Sequence, residues 1–459
     1  MDRKPAPLEA RARELCAADG LDPNSRIPKA GSERGMPAWC AYRDAARAEQ
    51  RRAEQASLRA AMAARNAGTA PLEILGMHEP ATIEQMRNCM GFGNVVAGVL
   101  AADGHFGYAQ PVGGVIAYQG QISISGVGFD IACGNAAARL DLRFDAIKDN
   151  VSNIAKEIGR TISFGVGRKN AERVDDKLFD DDEAWQASGM ADYKDKARAQ
   201  LGTVGSGNHY VDLMFDEEGF VWIGVHFGSR GLGHTSASKY LKAAGGKKGI
   251  HVAPTIVDEN SELGQRYLAA MTLAGRYAYA GRDWVVERVH RIVGGTVTDY
   301  VHNHHNFAWR ERHGDDELWV VRKGATPAFP GQRGFVGGSM GDDAVIVEGI
   351  DTPDAARFLH STIHGAGRVF GRKDAKRRFT RTEMNEWLER RGVTLIGADL
   401  DESPMSYRRL PDVLSHHVGS IRVMHTLKPF VVLMVMKMIR GRIKGPILRI
   451  HRGLKDWGA

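Results

Sequence analysis

Four short clusters of Cys, His, Asp and Asn contain the side chains that could do chemistry, and each lies among glycines beside a strand-like run. In the first cluster, residues 126–135 (GVGFDIACGN), Asp130 and Cys133 stand three residues apart. A carboxylate and a thiolate this close could bridge two divalent ions, because a thiolate has enough lone pairs to be shared between cations. The alternative is a buried cysteine that packs as a small apolar residue.

Histidines stand out in the second and third clusters. Residues 202–212 (GTVGSGNHYVD) hold Asn208 and His209, and residues 225–233 (VHFGSRGLG) hold His226. Neutral imidazole is a common ligand of borderline divalent ions, so both histidines could point into one cleft. Hydrogen-bonded core histidines are the alternative.

The fourth cluster, residues 301–309 (VHNHHNFAW), has three histidines within four residues. Alternate side chains of a strand share a face, so His302 and His304 would lie on one face and His305 on the other. We expect at least one of them to be a metal ligand, although short His-rich tracts also bind metals adventitiously.

Two further segments are typical of phosphate binding. Residues 337–341 (GGSMG) combine small side chains with exposed amides. Residues 364–368 (HGAGR) place a histidine that could attack phosphorus beside an arginine that could hold phosphate oxygens. Each segment could instead be a plain turn. Taken together, the six segments favour a binuclear metal site that serves phosphoryl transfer.

The elements that would position these residues alternate between short apolar strands and amphipathic helices. They predict an α+β fold, with one large mixed α/β catalytic domain over residues 71–435 and central β-sheets around the metal cleft. The helices are predicted at Ala146–Arg160, Tyr193–Leu201 and Gly264–Ile292. Residues 1–70 are predicted to form a helical extension around the Ala- and Arg-rich stretch 45–67, and residues 436–459 a basic tail.

The composition narrows the class of protein. The chain has 459 residues, 43% hydrophobic and 25% charged, which excludes a disordered or fibrous protein. It has no apolar run of the roughly 18 residues that a membrane span needs, and no secretory signal stands out, so we expect a cytoplasmic protein without a membrane partner. The four cysteines do not suggest a disulfide scaffold, and the net charge of +7 permits a nucleic-acid partner.

From about residue 90 to 433 the sequence resembles the RtcB-type RNA-splicing ligases, with the motifs in the family's order. The motifs are DGHFGYAQPVGGV, GVGFDIACG, GTVGSGNH, VHFGSRGLG, HHNFAW, RKGATPAFPGQ, GSMG and HGAGR. The resemblance implies an enzyme of RNA splicing or repair that uses GTP and two Mn²⁺ ions. It would join RNA ends bearing a 2′,3′-cyclic phosphate or 3′-phosphate to 5′-hydroxyl ends through a histidine–GMP intermediate. Whether an archease-like activator is a further partner stays open.

The resemblance also implies roles for single residues. His364 would be the guanylylated nucleophile, with Asp103 beside it and Arg368 as a further catalytic residue. Cys133 would bridge the two ions, with His209 and His226 as ligands of one ion and Asp130 and His305 as ligands of the other. The GTP-binding residues would be Asn208, Asp212, Gly338, Ser339, Gly341, Gly365, Gly367 and Tyr407.

The sequence departs from the family pattern at four positions. Asp212 stands for a glutamate, Ala132 for a glycine and Ala344 for a serine. Met434 aligns with a terminal lysine, although Lys437 is close by. These changes leave the metal ligands complete and leave open whether GTP or ATP is used. Two alternatives also remain: a metal-dependent RNA phosphodiesterase or cyclic-phosphate hydrolase, and a non-catalytic RNA-binding adaptor.

Overall fold

The computed structural model describes residues 6–29, 32–50, 70–435, 438–439 and 442–443. Its contacts divide the chain into two units, Met1–Thr69 and Ala70–Ala459. None of the helices in the described ranges combines the length and apolarity needed to cross a bilayer.

The described part of the first unit contains two helices and a pair of strands. Helix α1 (Pro7–Ala18) is followed by antiparallel strands β1 (Arg26–Lys29) and β2 (Ser32–Pro37), a 3-10 turn (Ala38–Tyr42) and the helical residues 43–50 (α2). Ala12, Cys16, Ala38, Trp39 and Ala46 form its small core. The sequence predicted only helix in this region, and the structure also contains the strand pair β1 and β2. Residues 51–67 of the predicted helix lie outside the described residues.

The second unit contains strands β3 to β21. In chain order the strands are Leu72–Ile74, Val95–His105, Val112–Tyr118, Gln121–Ser123, Gly134–Arg143, Tyr210–Phe215, Phe220–Phe227, Ile256–Asp258, Val297–His304, Asn306–His313, Asp316–Lys323, Ala325–Pro327, Arg333–Val336, Ala344–Gly349, Ser361–Ile363, Thr394–Ile396, Ile421–Leu433, Met438–Ile439 and Arg442–Ile443. The last two strands lie within the predicted basic tail, most of which falls outside the described residues.

Helices α3 to α14 connect these strands. In chain order they are Pro80–Met90, Ile124–Val127, Phe144–Ile147, Val151–Thr161, Asp182–Ala187, Lys194–Gln200, Arg230–Ala243, Glu262–Val293, Pro353–Arg357, Arg372–Arg378, Arg381–Arg390 and Leu410–Leu414. Short 3-10 turns occur at Lys148–Asn150, Lys177–Phe179, Ala191–Tyr193, Leu400–Glu402 and Pro404–Ser406. The three predicted helices are confirmed as α5 with α6, as α8 and as α10.

Two mixed sheets dominate this unit, which confirms the predicted α/β class. The eight-stranded sheet has the order β11-β7-β9-β8-β19-β16-β15, with β18 parallel to β19. The five-stranded sheet has the order β12-β13-β5-β4-β3. Strand β11 lies in the first sheet and β12 in the second, so the single residue between them, His305, joins the two sheets.

Alternation along the strands of the larger sheet separates two core regions. Ala136 and Ala138 of β7 pack with α6 and α10 in one hydrophobic cluster. Ala137 between them packs in another cluster, with Trp222 and Phe335. Successive strand residues point to opposite faces, so the sheet is buried on both sides at this strand. Packing on both faces fixes β7 and therefore the position of the residues at its start.

A close approach of backbones fixes the start of β7. Gly134 pairs with His304 of β11 on one side and with Phe227 of β9 on the other. A Cβ added to Gly134 would lie 2.2 Å from the carbonyl oxygen of Asn303, which is backbone and cannot swing away. Glycine is therefore required at this position, directly after Cys133.

We expect Gly134→Ala to destabilise the fold by about 1–3 kcal/mol, because the added methyl group must push β11 away. Gly159→Ala is the matched control. Gly159 lies inside α6, where an added Cβ meets only Leu433 and Ile396 side-chain atoms at 3.5 Å or more. A helix-interior alanine adds roughly 0.5–1 kcal/mol of stability. Denaturant unfolding of the two variants checks the contrast, and equal midpoints would contradict it.

Candidate active site

A cleft of about 1110 Å³ brings most of the predicted site residues together. It is lined by Asp130, Cys133, Asn208, Asp212, His226, His305, Gly338, Ser339, His364, Gly365, Gly367, Arg368 and Tyr407. The remaining predicted residues are Asp103, His209 and Gly341. Asp103 and His209 are buried directly behind lining residues, as their contacts below show. The GGSMG and HGAGR loops meet at the cleft through a bridge between Gly337 and Gly365.

A buried group of potential metal ligands lies at the floor of this cleft. The Sγ atom of Cys133 is 3.7 Å from Nε2 of His209 and 3.6 Å from Nε2 of His226. The ligand atoms of the three residues all lie within 4.8 Å of one another. A thiolate and imidazoles at this spacing can hold a divalent cation.

Hydrogen bonds orient both imidazoles toward Cys133. Nδ1 of His209 lies 3.0 Å from the carbonyl oxygen of Val204, and Nδ1 of His226 lies 2.6 Å from Oδ1 of Asn135. Both acceptors take an Nδ1–H, which leaves the Nε2 lone pairs facing the thiol. No role for Asn135 was predicted from the sequence. Its only signal was its position at the end of the GVGFDIACGN motif.

Two further ligand candidates extend the group. Oδ2 of Asp130 lies 3.0 Å from Nε2 of His209. The ring of His305 stacks on that of His226 with centroids 5.1 Å apart, and its Nδ1 is buried without a hydrogen-bond partner. The structure thus sets Asp130 beside His209 and His305 beside His226. The expected division of these residues between two ions, with His209 and His226 at one ion and Asp130 and His305 at the other, stays a prediction.

The electrostatics of this group fit a bound cation. Burial raises the pKa of the Cys133 thiol well above its usual value, and the nearby Asp130 carboxylate raises it further. Burial also keeps the pKa values of His226 and His305 well below the usual value, so both rings are neutral. Neutral imidazoles with free lone pairs, an orphaned nitrogen on His305 and a thiol that only a cation would ionise together suit divalent metal ions.

His302 and His304 lie on the other face of β11, as strand alternation predicts. Both rings contact the ring of Tyr279, at centroid distances of 4.2 and 4.0 Å. Both also contact Arg282 of α10: its Nε donates to Nε2 of His302 at 2.7 Å, and its Nη2 lies 2.9 Å from Nδ1 of His304. Of the three histidines, His305 alone borders the cleft.

Arg282 is fully buried and holds the backbone around the ligand group. Its Nη1 donates to the carbonyl oxygens of Ala132 at 3.0 Å and Phe227 at 2.6 Å, the residues adjacent to Cys133 and His226. A guanidinium has five donors in a rigid fork, so one side chain ties β9 and β11 to the loop that precedes β7. Arg282 was not predicted from the sequence. The available signal was a charged residue at a helix position that the apolar periodicity assigns to the core.

A second buried pair lies at the nucleophile candidate. Nδ1 of His364 is 2.5 Å from Oδ2 of Asp103, and the same oxygen accepts the backbone N–H of His364 at 3.1 Å. Burial would raise the pKa of Asp103, but the adjacent His364 imidazole outweighs burial and lowers that pKa below its usual value. Asp103 is therefore a carboxylate that fixes the histidine, and Nε2 is the ring nitrogen left for chemistry. The His364 and His305 rings are 4.9 Å apart, so this pair borders the ligand group.

Gly367 permits this arrangement. Its φ is +75°, and an added Cβ would lie 2.3 Å from the carbonyl oxygen of Asp103. A side chain there would collide with the strand end that carries the carboxylate. Arg408 supports the same strand end, because its guanidinium donates to the carbonyl oxygens of Asp103 and Gly104 at 3.3 and 3.1 Å. Arg408 was also missed from the sequence.

The Arg368 guanidinium is hydrogen-bonded to other residues of the chain. Its Nη1 donates to Oε2 of Glu402 at 3.0 Å and to the hydroxyl of Tyr407 at 2.7 Å, and Tyr407 also hydrogen-bonds Glu402. The geometry makes Arg368 a support for Tyr407, which lines the cleft. Its contact with a phosphate stays a prediction.

The remaining nucleotide-binding candidates include Asn208, Asp212 and Ser339, which all line the cleft. Asn208 is exposed to the cleft, and Ser339 donates to Asp342 at 2.6 Å. Asp212 has a buried oxygen, Oδ1, without a hydrogen-bond partner. Met434 lines the cleft, whereas Ala344 packs in the core with Trp222.

Known proteins share this sequence pattern over most of its length. A family model described as tRNA-splicing ligase RtcB matches residues 85–435. The tRNA-splicing ligase RtcB of Archaeoglobus fulgidus is 31% identical over 442 residues, covering 78% of this chain and 92% of that protein. The tRNA-splicing ligase RtcB of Thermococcus kodakarensis is 31% identical, covering 77% and 91%. The RNA-splicing ligase RtcB of Escherichia coli is 29% identical, covering 72% and 88%.

The chain belongs to the RtcB family. Membership confirms the resemblance and the expectation of an enzyme, an RNA ligase. The mixed α/β fold of the second unit is the RtcB-type domain that the motifs led us to expect. Within this RtcB domain, the buried Cys133 group is the site whose chemistry fits a metal-dependent ligase.

Arg282 generates a prediction about this RtcB site. Arg282→Met leaves two buried carbonyl oxygens without their donor, so we expect the affinity of the site for a divalent metal ion to fall about 10- to 100-fold, the usual effect of losing a residue that orients metal ligands. Arg282→Lys keeps the positive charge but lacks the forked guanidinium group, so it should recover part of the lost metal affinity.

Arg291→Met, at an exposed position of the same helix, is the control and should bind manganese normally. Calorimetric titration with Mn²⁺, with circular dichroism to verify folding, checks the series. Equal affinity in Arg282→Met and the control would exclude the positioning role.

Proposed function

We propose that this RtcB-family chain joins RNA 2′,3′-cyclic phosphate or 3′-phosphate ends to 5′-hydroxyl ends, using GTP, Mn²⁺ and a GMP group carried on His364. The observation that carries the proposal is the buried Asp103 carboxylate against Nδ1 of His364, beside the Cys133 ligand group. A nucleophilic imidazole needs one ring nitrogen free, and this contact occupies Nδ1 and leaves Nε2 for attack.

In the first step Nε2 of His364 attacks the α-phosphorus of GTP. A P–N bond forms, the P–O bond to the β-phosphate breaks, and pyrophosphate leaves. Asp103 accepts the Nδ1–H throughout and stabilises the positive charge that develops on the ring. The 2.5 Å contact and the backbone hydrogen bond to the same oxygen keep the ring in one orientation.

In the later steps the RNA replaces the histidine. An oxygen of the RNA 3′-phosphate attacks the phosphorus of the His364–GMP adduct, the P–N bond breaks, and the imidazole is regenerated. The 5′-hydroxyl oxygen of the second RNA end then attacks the 3′-phosphate, loses its proton and displaces GMP. A 2′,3′-cyclic phosphate must first be opened by water to the 3′-phosphate.

Cys133, Asp130, His209, His226 and His305 would hold two Mn²⁺ ions beside His364. When bound, such ions neutralise phosphate charge and the charge that develops on the attacking and leaving oxygens. His209 and His226 would serve one ion and Asp130 and His305 the other, with Cys133 shared. The ligand atoms of Cys133, His209 and His226 all lie within 4.8 Å of one another, which supports the first of these two sets.

We infer that the nucleotide is GTP rather than ATP. A guanine edge offers two neighbouring donors, N1–H and the N2 amino group, whereas adenine offers one donor beside an acceptor. Asp212 lines the cleft, and its Oδ1 is buried without a hydrogen-bond partner. An ionised Asp212 carboxylate that met the base edge would accept from both guanine donors, which supports GTP as the nucleotide.

We predict that GTP labelled at the α-phosphate transfers its label to the protein in the presence of Mn²⁺, and that an equal concentration of ATP does not. The adduct should be acid-labile, since it is a phosphoramidate. His364→Ala should abolish labelling and retain bound manganese, because the lost nitrogen is the nucleophile and not a metal ligand. His416→Ala, at an exposed histidine, serves as the control.

Denaturing gels and metal analysis of the three proteins read out both properties. Full labelling of His364→Ala would refute the nucleophile. If the protein binds manganese but neither nucleotide labels it, the result would instead support a metal-dependent hydrolase or a non-catalytic RNA-binding adaptor.

A further inference from the structure

Exposed apolar side chains gather at the mouth of the cleft. Five of the large ones among the described residues line it: Met77, Phe106, Tyr108, Ile250 and Val369. Phe106 is 38% exposed and Tyr108 is 59% exposed. Water is an unfavourable neighbour for such surface, so apolar groups concentrated beside an active site mark a place where a ligand binds.

The two aromatic residues lie next to the nucleophile. They belong to the loop between β4 and β5, and the last residues of β4 include Asp103, which contacts His364. Val112, at the other end of the loop, and the His364 ring both pack against Gly324. A Cβ added to Gly324 would lie 2.3 Å from a side-chain atom of Val112 and 3.0 Å from the His364 ring. The loop therefore starts and ends beside His364.

The loop backbone is held by buried polar side chains. Gln85 pairs with both backbone groups of Gly107, at 3.0 and 2.7 Å. The Lys323 ammonium donates to the carbonyl oxygens of Tyr108 and Gln110. These four hydrogen bonds with two buried residues fix the loop backbone. We call the exposed rings of Phe106 and Tyr108, together with this fixed backbone, the platform.

The surroundings of the platform are aromatic and basic. His251 lies against Phe106 with ring centroids 5.4 Å apart. Lys248 lies over the ring of Phe129, with its Nζ 4.9 Å from the centroid, and Phe129 also lines the cleft. Aromatic faces combined with cations are the features that bind single-stranded nucleic acid, since bases stack on the rings and phosphates pair with the charges.

We propose that Phe106 and Tyr108 stack against the terminal base of the RNA strand whose 3′-phosphate is delivered to His364. The inference deepens the proposed function and rests on it. At about 1110 Å³ the cleft exceeds the usual volume of a single small-ligand site, so it has room for a nucleotide and an RNA end together. Stacking needs no particular base, so the platform would accept RNA ends of any sequence.

The test uses the variants Phe106→Ala, Tyr108→Ala and their combination. Removing one stacked ring should raise the KM for a 3′-phosphate RNA about 5- to 100-fold, with kcat and labelling of His364 by GTP within about twofold of the parent protein. Tyr108→Phe should restore the KM because it keeps the ring. Val418→Ala, at an exposed apolar residue outside the cleft, is the control and should leave the KM unchanged.

Binding is also measured without catalysis, on an RNA with 2-aminopurine as its 3′-terminal base. Its fluorescence should be quenched by the parent protein and by Tyr108→Phe, and not by the double alanine variant. Unchanged KM and quenching in the double variant would overturn the platform, and quenching only of a 5′-terminal 2-aminopurine would overturn the assignment to the 3′ end. If GTP does not label the protein but quenching still depends on both rings, the proposed function would be refuted. The stacking role of Phe106 and Tyr108 would still stand.

Discussion

The candidate active site depends on the contact between Asp103 and His364. Asp103 is completely buried, and a single carboxylate oxygen meets the ring nitrogen of His364 and two backbone amides of the HGAGR loop. A buried carboxylate is tolerated only when it is paired. The fold therefore cannot keep Asp103 without also holding His364 in one place. The glycine at 367 and the guanidinium of Arg408 secure the two chain segments that make the contact.

The ligand group around Cys133 depends on a comparable constraint in the larger sheet. Strand ends are brought to one point by close backbone approach at Gly134 and by the buried fork of Arg282. His305 lies at the single-residue junction between the two sheets, so it connects the ligand group with the strands that lead to the loop of Phe106 and Tyr108. The candidate metal ligands, the candidate nucleophile and the cleft mouth are thus held by one connected set of strands.

Much of this could be predicted from the sequence, for definable reasons. Alternation in VHNHHNFAW separated His305 from His302 and His304, and helical periodicity found α10. Ordered motifs identified the family. Contacts between distant loops could not be predicted, because spacing does not say which side chains meet. The contact of Asp130 with His209 and the hydrogen bond of Arg368 with Glu402 are two such contacts. Arg282 was overlooked because charge normally indicates an exposed position.

The most direct test of the central claim is which ring nitrogen carries the nucleotide. The guanylylated protein, prepared with ¹⁵N-labelled histidine, can be examined for ³¹P–¹⁵N coupling, and the modified peptide can be sequenced by mass spectrometry. Because Nδ1 of His364 faces Asp103, the account predicts a bond from phosphorus to Nε2 of His364. A bond to Nδ1, or a GMP group on another histidine, would contradict it.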